Sequence, residues 1–210
     1  DECGTLVFNE VLNAAHRGVK VRLLIDHIAS LKDPETIAYL TTASPNIEIK
    51  YYRPHAKQLK SSAPFYTFHA LFYAGALNQR MHNKTFIVDG ALAMTGGRNY
   101  DNHYYNMSDT YNFNDRDVMV LGPTVKDAEA SFERFWEYKH SIRSRDLPDV
   151  IRRLKENDLK DETFFNGVEK YGIFDELHEA LADPALMKSR FVDTLYHADS
   201  TRYLTDDPGK

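Results

Sequence analysis

The run Met81-His82-Asn83-Lys84-Thr85-Phe86-Ile87-Val88-Asp89-Gly90-Ala91-Leu92-Ala93-Met94-Thr95-Gly96-Gly97-Arg98-Asn99 constrains the fold more than any other part of the chain. Lys84 to Asp89 predicts a strand, Gly90 a turn, and Ala91 to Thr95 a return strand that ends in Gly96-Gly97. Side chains alternate along an extended backbone, so His82, Lys84, Phe86 and Val88 share one face. An imidazole nucleophile and a fixed ammonium then point to the same site. Asp89 falls on the opposite face, a structural position rather than one that touches a substrate. The glycine pair lets the backbone turn tightly after the return strand. Asn99 offers a neutral donor amide that can hold a phosphoryl oxygen without competing as a nucleophile. At background residue frequencies, a chance match to H-x-K-x4-D-x6-G-G-x-N in a chain this long has a probability on the order of 10⁻⁶ to 10⁻⁵.

The flanking sequence supplies the rest of a layered domain. Apolar residues from Leu6 to Arg17 line one helical face, and Gly18 supplies the stop. Val19, Val21, Leu23 and Ile25 then alternate as a strand entering directly from that helix. Asp33-Pro34 predicts a capped helix to about Leu40, and Asn46 to Tyr52 a further strand. Phe65, Phe68 and Phe72 recur at helical spacing in an aromatic run to Leu77. Such a stripe is either a helix packed on the sheet, the commoner use, or a membrane-interface element. Residues 99–114 read as loop, Asp117 to Leu121 as strand, and Thr124-x-x-Asp127 as a capping-box variant opening a helix through Trp136. Short amphipathic helices follow, at roughly 147–156, 168–181 and 184–196. The expected fold class is α/β: a mixed, mostly parallel sheet flanked by helices, with a helical C-terminal extension. The division falls between residues 1–142, a catalytic lobe, and 143–210, a helical connector.

Charge narrows the partners. The net charge is −5, and residues 143–210 hold 11 Lys/Arg against 15 Asp/Glu. Neither part has the basic excess of a protein that neutralises many backbone phosphates, so nucleic acid is not the expected substrate. The single cysteine, Cys3, excludes an internal disulfide and a cysteine metal site. The nine histidines show no metal-ligand spacing. No apolar stretch approaches the ~20 residues of a membrane span. The opening Asp1-Glu2, running at once into a helix pattern, reads as the start of an excised segment.

The motif resembles that of the phospholipase D superfamily. Ala14-Ala15-His16-Arg17-Gly18-Val19-Lys20-Val21-Arg22-Leu23-Leu24-Ile25-Asp26, Arg80-Met81-His82-Asn83-Lys84, Gly96-Gly97-Arg98-Asn99 and Asp115-Arg116-Asp117-Val118 look like bacterial cardiolipin synthases, closest to the C type. The likeness covers roughly residues 5–140. It implies that His82 attacks phosphorus to form a phosphohistidine, while Lys84 and Asn99 bind phosphoryl oxygens. It also implies an acid that orients the histidine ring: Asp115, with Asp117 as its close rival. Asp89, Gly96 and Gly97 are then structural parts of the motif. The implied activity is that of a phosphatidyltransferase, with no metal or organic cofactor. The implied partners are a phospholipid, a membrane surface in a bacterial cell, and a second phospholipase-D-like lobe.

That second lobe matters because the family uses two such motifs, the second histidine serving as general acid and base. This chain has one. His55-Ala56-Lys57 mimics the first three positions, but Ser62 stands where Asp is required and no glycine pair follows. The second lobe is expected from the same parent chain or from a second copy, and an edge strand is expected to be missing before residue 1. The alternatives are a homodimeric phosphodiester nuclease or lipid hydrolase of the same superfamily, or a non-catalytic phosphate-binding half-domain.

Overall fold

The computed structural model describes residues 1–27, 33–54, 57–60, 79–156 and 173–209. The aromatic run at 65–77 and the mimic at His55 lie outside the described residues.

Helix α1 (Glu2–His16) starts earlier than its apolar stripe suggests, because the Asp1 carboxylate accepts the Gly4 N–H at 2.8 Å. Gly18, at φ 93°, turns the chain into strand β1 (Val21–Asp26). Helix α2 (Pro34–Ala43) has the expected Asp33 cap and initial proline. It runs past Leu40 because the hydroxyls of Thr41 and Thr42 bond back to the carbonyls of Ile37 and Ala38. Strand β2 (Ile47–Tyr52) pairs parallel with β1 in the register Val21↔Ile47 to Asp26↔Tyr52.

The motif folds as the expected hairpin, β3 (Thr85–Val88) and β4 (Leu92–Gly96), antiparallel and extended by β5 (Asp117–Leu121). Helix α3 (Val125–Trp136) follows. Thr124 does not form the capping box: it is itself helical, and its hydroxyl turns to Thr201 instead. Strand β6 (Ser141–Arg143) then returns to pair antiparallel with β2. Helices α4 (Pro148–Glu156), α5 (Ile173–Ala182) and α6 (Pro184–Met187) complete the helical C-terminal part, with one π-helical turn from Lys188 to Val192.

The chain is thus α/β with mixed pairing. Among the described residues its strands form two three-stranded sheets, ordered β1-β2-β6 and β3-β4-β5, with parallel pairing between β1 and β2. The larger core lies on the first sheet, where Leu12, Ile37, Leu40, Ile49 and Tyr51 pack with Leu147 and Val150. Those last two lie beyond residue 142, so α4 packs in the same core as the lobe. The second sheet has a smaller core, in which Ala93 meets Val125 and Ala128 of α3.

Candidate active site

Asp26, the last residue of β1, holds the chain just ahead of the motif. Its carboxylate accepts the Met81 N–H at 2.9 Å and receives Arg80 Nη2 and Nε at 2.9 and 3.1 Å. Arg80 Nη2 also reaches the carbonyl of Tyr52, the partner of Asp26 in the sheet register. His82 therefore hangs between the end of the first sheet and the start of the second.

Within β3 the expected alternation is realised. Phe86 pairs with Met94 and Met94 in turn with Met119, as Val88 does with Leu92 and Leu92 with Leu121, and Lys84 shares a hollow with Phe86 and Met94 on this face. This face is open, with Phe86 50% and Leu121 53% exposed. The opposite face, with Ile87 and Ala93, packs on α3. His82 is exposed, and its ring makes no hydrogen bond to any described residue. Lys84 folds back so that Nζ donates to the backbone carbonyl of His82 at 3.0 Å.

Asp89 points to neither. It sits with Gly90 at the hairpin tip, both in the left-handed region (φ 50° and 61°), where the Ala91 N–H closes the turn on the Val88 carbonyl at 3.0 Å. The glycine pair also acts differently from expectation. Neither glycine is left-handed; both are needed for space. A Cβ on Gly97 would land on the Asp115 carboxylate, and one on Gly96 on Asp117 and the Arg116 carbonyl.

Lys84, Phe86, Arg98, Tyr105 and Asp117 line one shallow hollow. Arg98 is the residue that sequence reasoning passed over. It ties the glycine turn to the strand after it, through its amide and Nε to the Asp117 carboxylate (3.4 and 3.7 Å) and through Nη2 to the Asp115 carbonyl at 2.9 Å. Asn99, next in the chain, is exposed beside this hollow, with its amide donating to the Tyr104 hydroxyl at 3.0 Å. One amide hydrogen remains for a ligand. Burial, followed by the proximity of Cys3, Tyr100 and Asp117, pushes the Tyr105 phenol up to about 12, so it stays a hydrogen-bond donor.

The two acids divide. The Asp115 carboxylate lies against Gly97 and accepts the Arg116 N–H at 2.7 Å; it makes no bond to the His82 ring. Asp117 shares the hollow with Lys84. The hollow accordingly joins two cations and two phenols around one carboxylate, with the Asn99 amide next to Arg98 in the chain, a set that can hold an anion such as a phosphodiester. A larger cavity of about 230 Å³ opens where α2 and α4 begin, lined by Asp33, Lys60, Asp149 and Arg152, and holds no motif residue. Among the described residues, no cluster of His, Cys, Asp and Glu could hold a metal, and no helix is long and apolar enough to cross a membrane.

The rear of the motif strand is held by the C-terminal segment. Asn83 Nδ2 donates to Thr205 Oγ1 at 3.3 Å, and Thr85 Oγ1 lies 3.1 Å from the Tyr203 hydroxyl. These residues sat in a stretch expected to be a connector.

Comparisons with known proteins show the family to which the chain is related. The family model described as "Cardiolipin synthase, PLD-like domain" matches residues 4–136. Cardiolipin synthase C of Escherichia coli is 38% identical over 141 residues, 66% of this chain and 28% of that protein. An uncharacterized protein of Helicobacter pylori is 36% identical over 157 residues, 75% of this chain and 30% of that protein. Cardiolipin synthase of Geobacillus kaustophilus is 25% identical over 139 residues, 66% of this chain and 25% of that protein. The chain spans less than a third of the length of each of these curated relatives.

Proposed function

The chain belongs to the cardiolipin synthase family of phospholipase-D-like domains, and on that premise we propose that it supplies one lobe of a bacterial, membrane-associated phosphatidyltransferase. The observation that carries this is the exposed His82, whose ring bonds to no described residue, two positions before Lys84 at the edge of an open sheet face. His82 attacks the phosphorus of a phospholipid diester, and the bond from phosphorus to the head-group oxygen breaks. The leaving alkoxide takes a proton from a general acid. A second alcohol then gives its proton to the conjugate base of that acid as its oxygen attacks the phosphohistidine, the phosphorus–nitrogen bond breaks, and His82 is released with a new diester formed. Lys84 and Asn99 hold the non-bridging oxygens as charge develops on them. Asp115 is assigned the task of orienting the His82 ring, with Asp117 the alternative because it shares the hollow with Lys84.

The general acid belongs to a second lobe, from the same parent chain or a second copy. The exposed Phe86, Val88 and Leu121 beside the site support such a partner. General acid help is worth ~10²–10⁴-fold, so residues 1–210 by themselves turn over poorly. The test is phosphatidyl transfer from phosphatidylglycerol vesicles, by the chain alone and mixed with a downstream half. Turnover only in the mixture, abolished by His82→Asn, is the expected result. Activity of the His82→Asn variant would refute the mechanism. A rate rising with the square of the chain's concentration would favour a homodimer, and release of phosphatidic acid rather than a new diester would favour a hydrolase.

A further inference from the structure

The motif strand has two sides, and the mechanism uses only one. Lys84 lines the open hollow and His82 is exposed two residues before it, while Asn83 and Thr85 meet the segment Thr201–Gly209 on the other side. This segment lies along α3 from end to end. Thr201 meets Thr124 at the start of the helix, Thr205 Oγ1 accepts from the buried Ser131 hydroxyl at 3.2 Å, and Asp207 pairs with Arg134 at 3.5 Å. Between helix and strand, the Tyr203 ring fills the space left by the small side chains of Ala93 and Ala128 and by Val125. Its hydroxyl contacts Thr85, and Thr205 takes the Asn83 amide, so the two residues flanking Lys84 are each held from behind.

The far end of the segment reaches the other anchor of the motif. The Gly209 N–H donates to the Tyr52 hydroxyl at 3.0 Å. Gly209 is left-handed at φ 92°, and a Cβ there would strike the Tyr138 hydroxyl. Tyr52 is the residue whose carbonyl receives Arg80 and whose register partner is Asp26. The segment therefore touches the chain on both sides of the nucleophile: behind Lys84, and at the sheet end from which Arg80, Met81 and His82 hang.

We propose that Thr201–Gly209 is a brace that positions His82 and Lys84, with Tyr203 and Thr205 as its positioning residues. This rests on the phosphoryl-transfer reading for its kinetic consequence, though not for its structural one. The brace contacts no substrate. It fixes the rear alternation positions so that the front ones keep their spacing, and it makes the site responsive to whatever displaces the segment. Its polar contacts on the strand are single neutral hydrogen bonds, so their loss misplaces the strand without unfolding the sheet.

The test compares Tyr203→Phe, Thr205→Val, the double variant, and Thr205→Ser, in the full chain complemented by its downstream half. In the double variant, hydrogen–deuterium exchange should rise across residues 82–88 while residues 21–26 and 47–52 keep their wild-type rates. The kcat for phosphatidyl transfer should fall roughly tenfold to a hundredfold, the scale of a small misplacement of reacting groups, with KM within about twofold. Thr205→Ser, which retains the hydroxyl, should match the wild type in both readouts. Unchanged exchange at 82–88 in the double variant would overturn the proposal. So would a rise throughout the chain, which would make the segment ordinary core. Run alongside, a His82→Asn variant that still transfers phosphatidyl groups would sink the catalytic reading, while exchange at 82–88 would still decide on the brace.

Discussion

The Arg80 guanidinium grips the Asp26 carboxylate through Nη2 and Nε at 2.9 and 3.1 Å, with the two side chains only 12% and 11% exposed. Removing one partner of such a pair leaves a desolvated charge. Asp26→Asn should therefore cost about 3 kcal/mol in urea unfolding, whereas Asp26→Leu with Arg80→Met together should cost clearly less. Equal losses in the single and double variants would mean that packing, not charge, holds the Arg80–Met81 junction.

Gly97 touches Asp115 so closely that no side chain fits between them. Gly97→Ala should lower stability by roughly 1–3 kcal/mol, as overpacking does, and should displace the 115–117 segment from the end of β4. Thermal unfolding reads the first effect and chemical shifts of Asp115 to Asp117 the second. A neutral, unshifted variant would remove the close-approach argument.

Asp115 and Asp117 should separate by the kind of damage their loss does. Asp117→Asn breaks the pairing with Arg98, whose side chain is 38% exposed, and should cost about 1 kcal/mol after solvent screening. Asp115→Asn should leave stability within about 0.5 kcal/mol and lower kcat at least roughly tenfold, the scale of lost orientation of an acid–base group. Reversed effects would make Asp117 the orienting acid.

The loop after Asn99 carries a pH signature. The His103 amide, and then its ring, hold the Asp101 carboxyl below its ordinary value of 3.8. A carboxylate with a depressed folded-state pKa contributes stability above the unfolded value and loses it as pH falls through the folded one. Asp101→Asn should thus lower the melting temperature at about pH 6 and make progressively less difference below about pH 4. A constant difference between those conditions would mean that the carboxylate's charge contributes nothing.

The features legible in the sequence are those written within a few neighbouring residues. The Asp33-Pro34 start of α2, the Gly18 stop and the alternation of Phe86 and Val88 against Ile87 in β3 all depend on local sterics, and the structure follows them. The Asp26–Arg80 pair joins residues 54 apart and leaves no local pattern. Strand β6 spans only Ser141–Arg143, too few residues for alternation to register. Thr124 shows how a local rule loses: a hydroxyl suited to capping α3 goes to Thr201 instead, because the C-terminal segment lies against it. Gly96 and Gly97 were visible as glycines, but the carboxylates they make room for, Asp117 at the start of β5 and Asp115 just before it, lie far along the chain.

The unequal cores of the two sheets have an outcome in the test tube. Beneath the first sheet, α1, α2, β2 and α4 all contribute buried side chains, whereas among the described residues the second is anchored mainly by Ala93, Val125 and Ala128, with Ile87 and Tyr203 partly covered. Sub-global opening follows the weaker packing. Mild denaturant should therefore melt the half that carries Lys84 while the β1–β2 half stays folded. Loss of activity should precede loss of far-ultraviolet ellipticity along a urea titration, and the single tryptophan, Trp136, which lies against Arg22 of β1 and Lys50 of β2, should report the later of the two transitions.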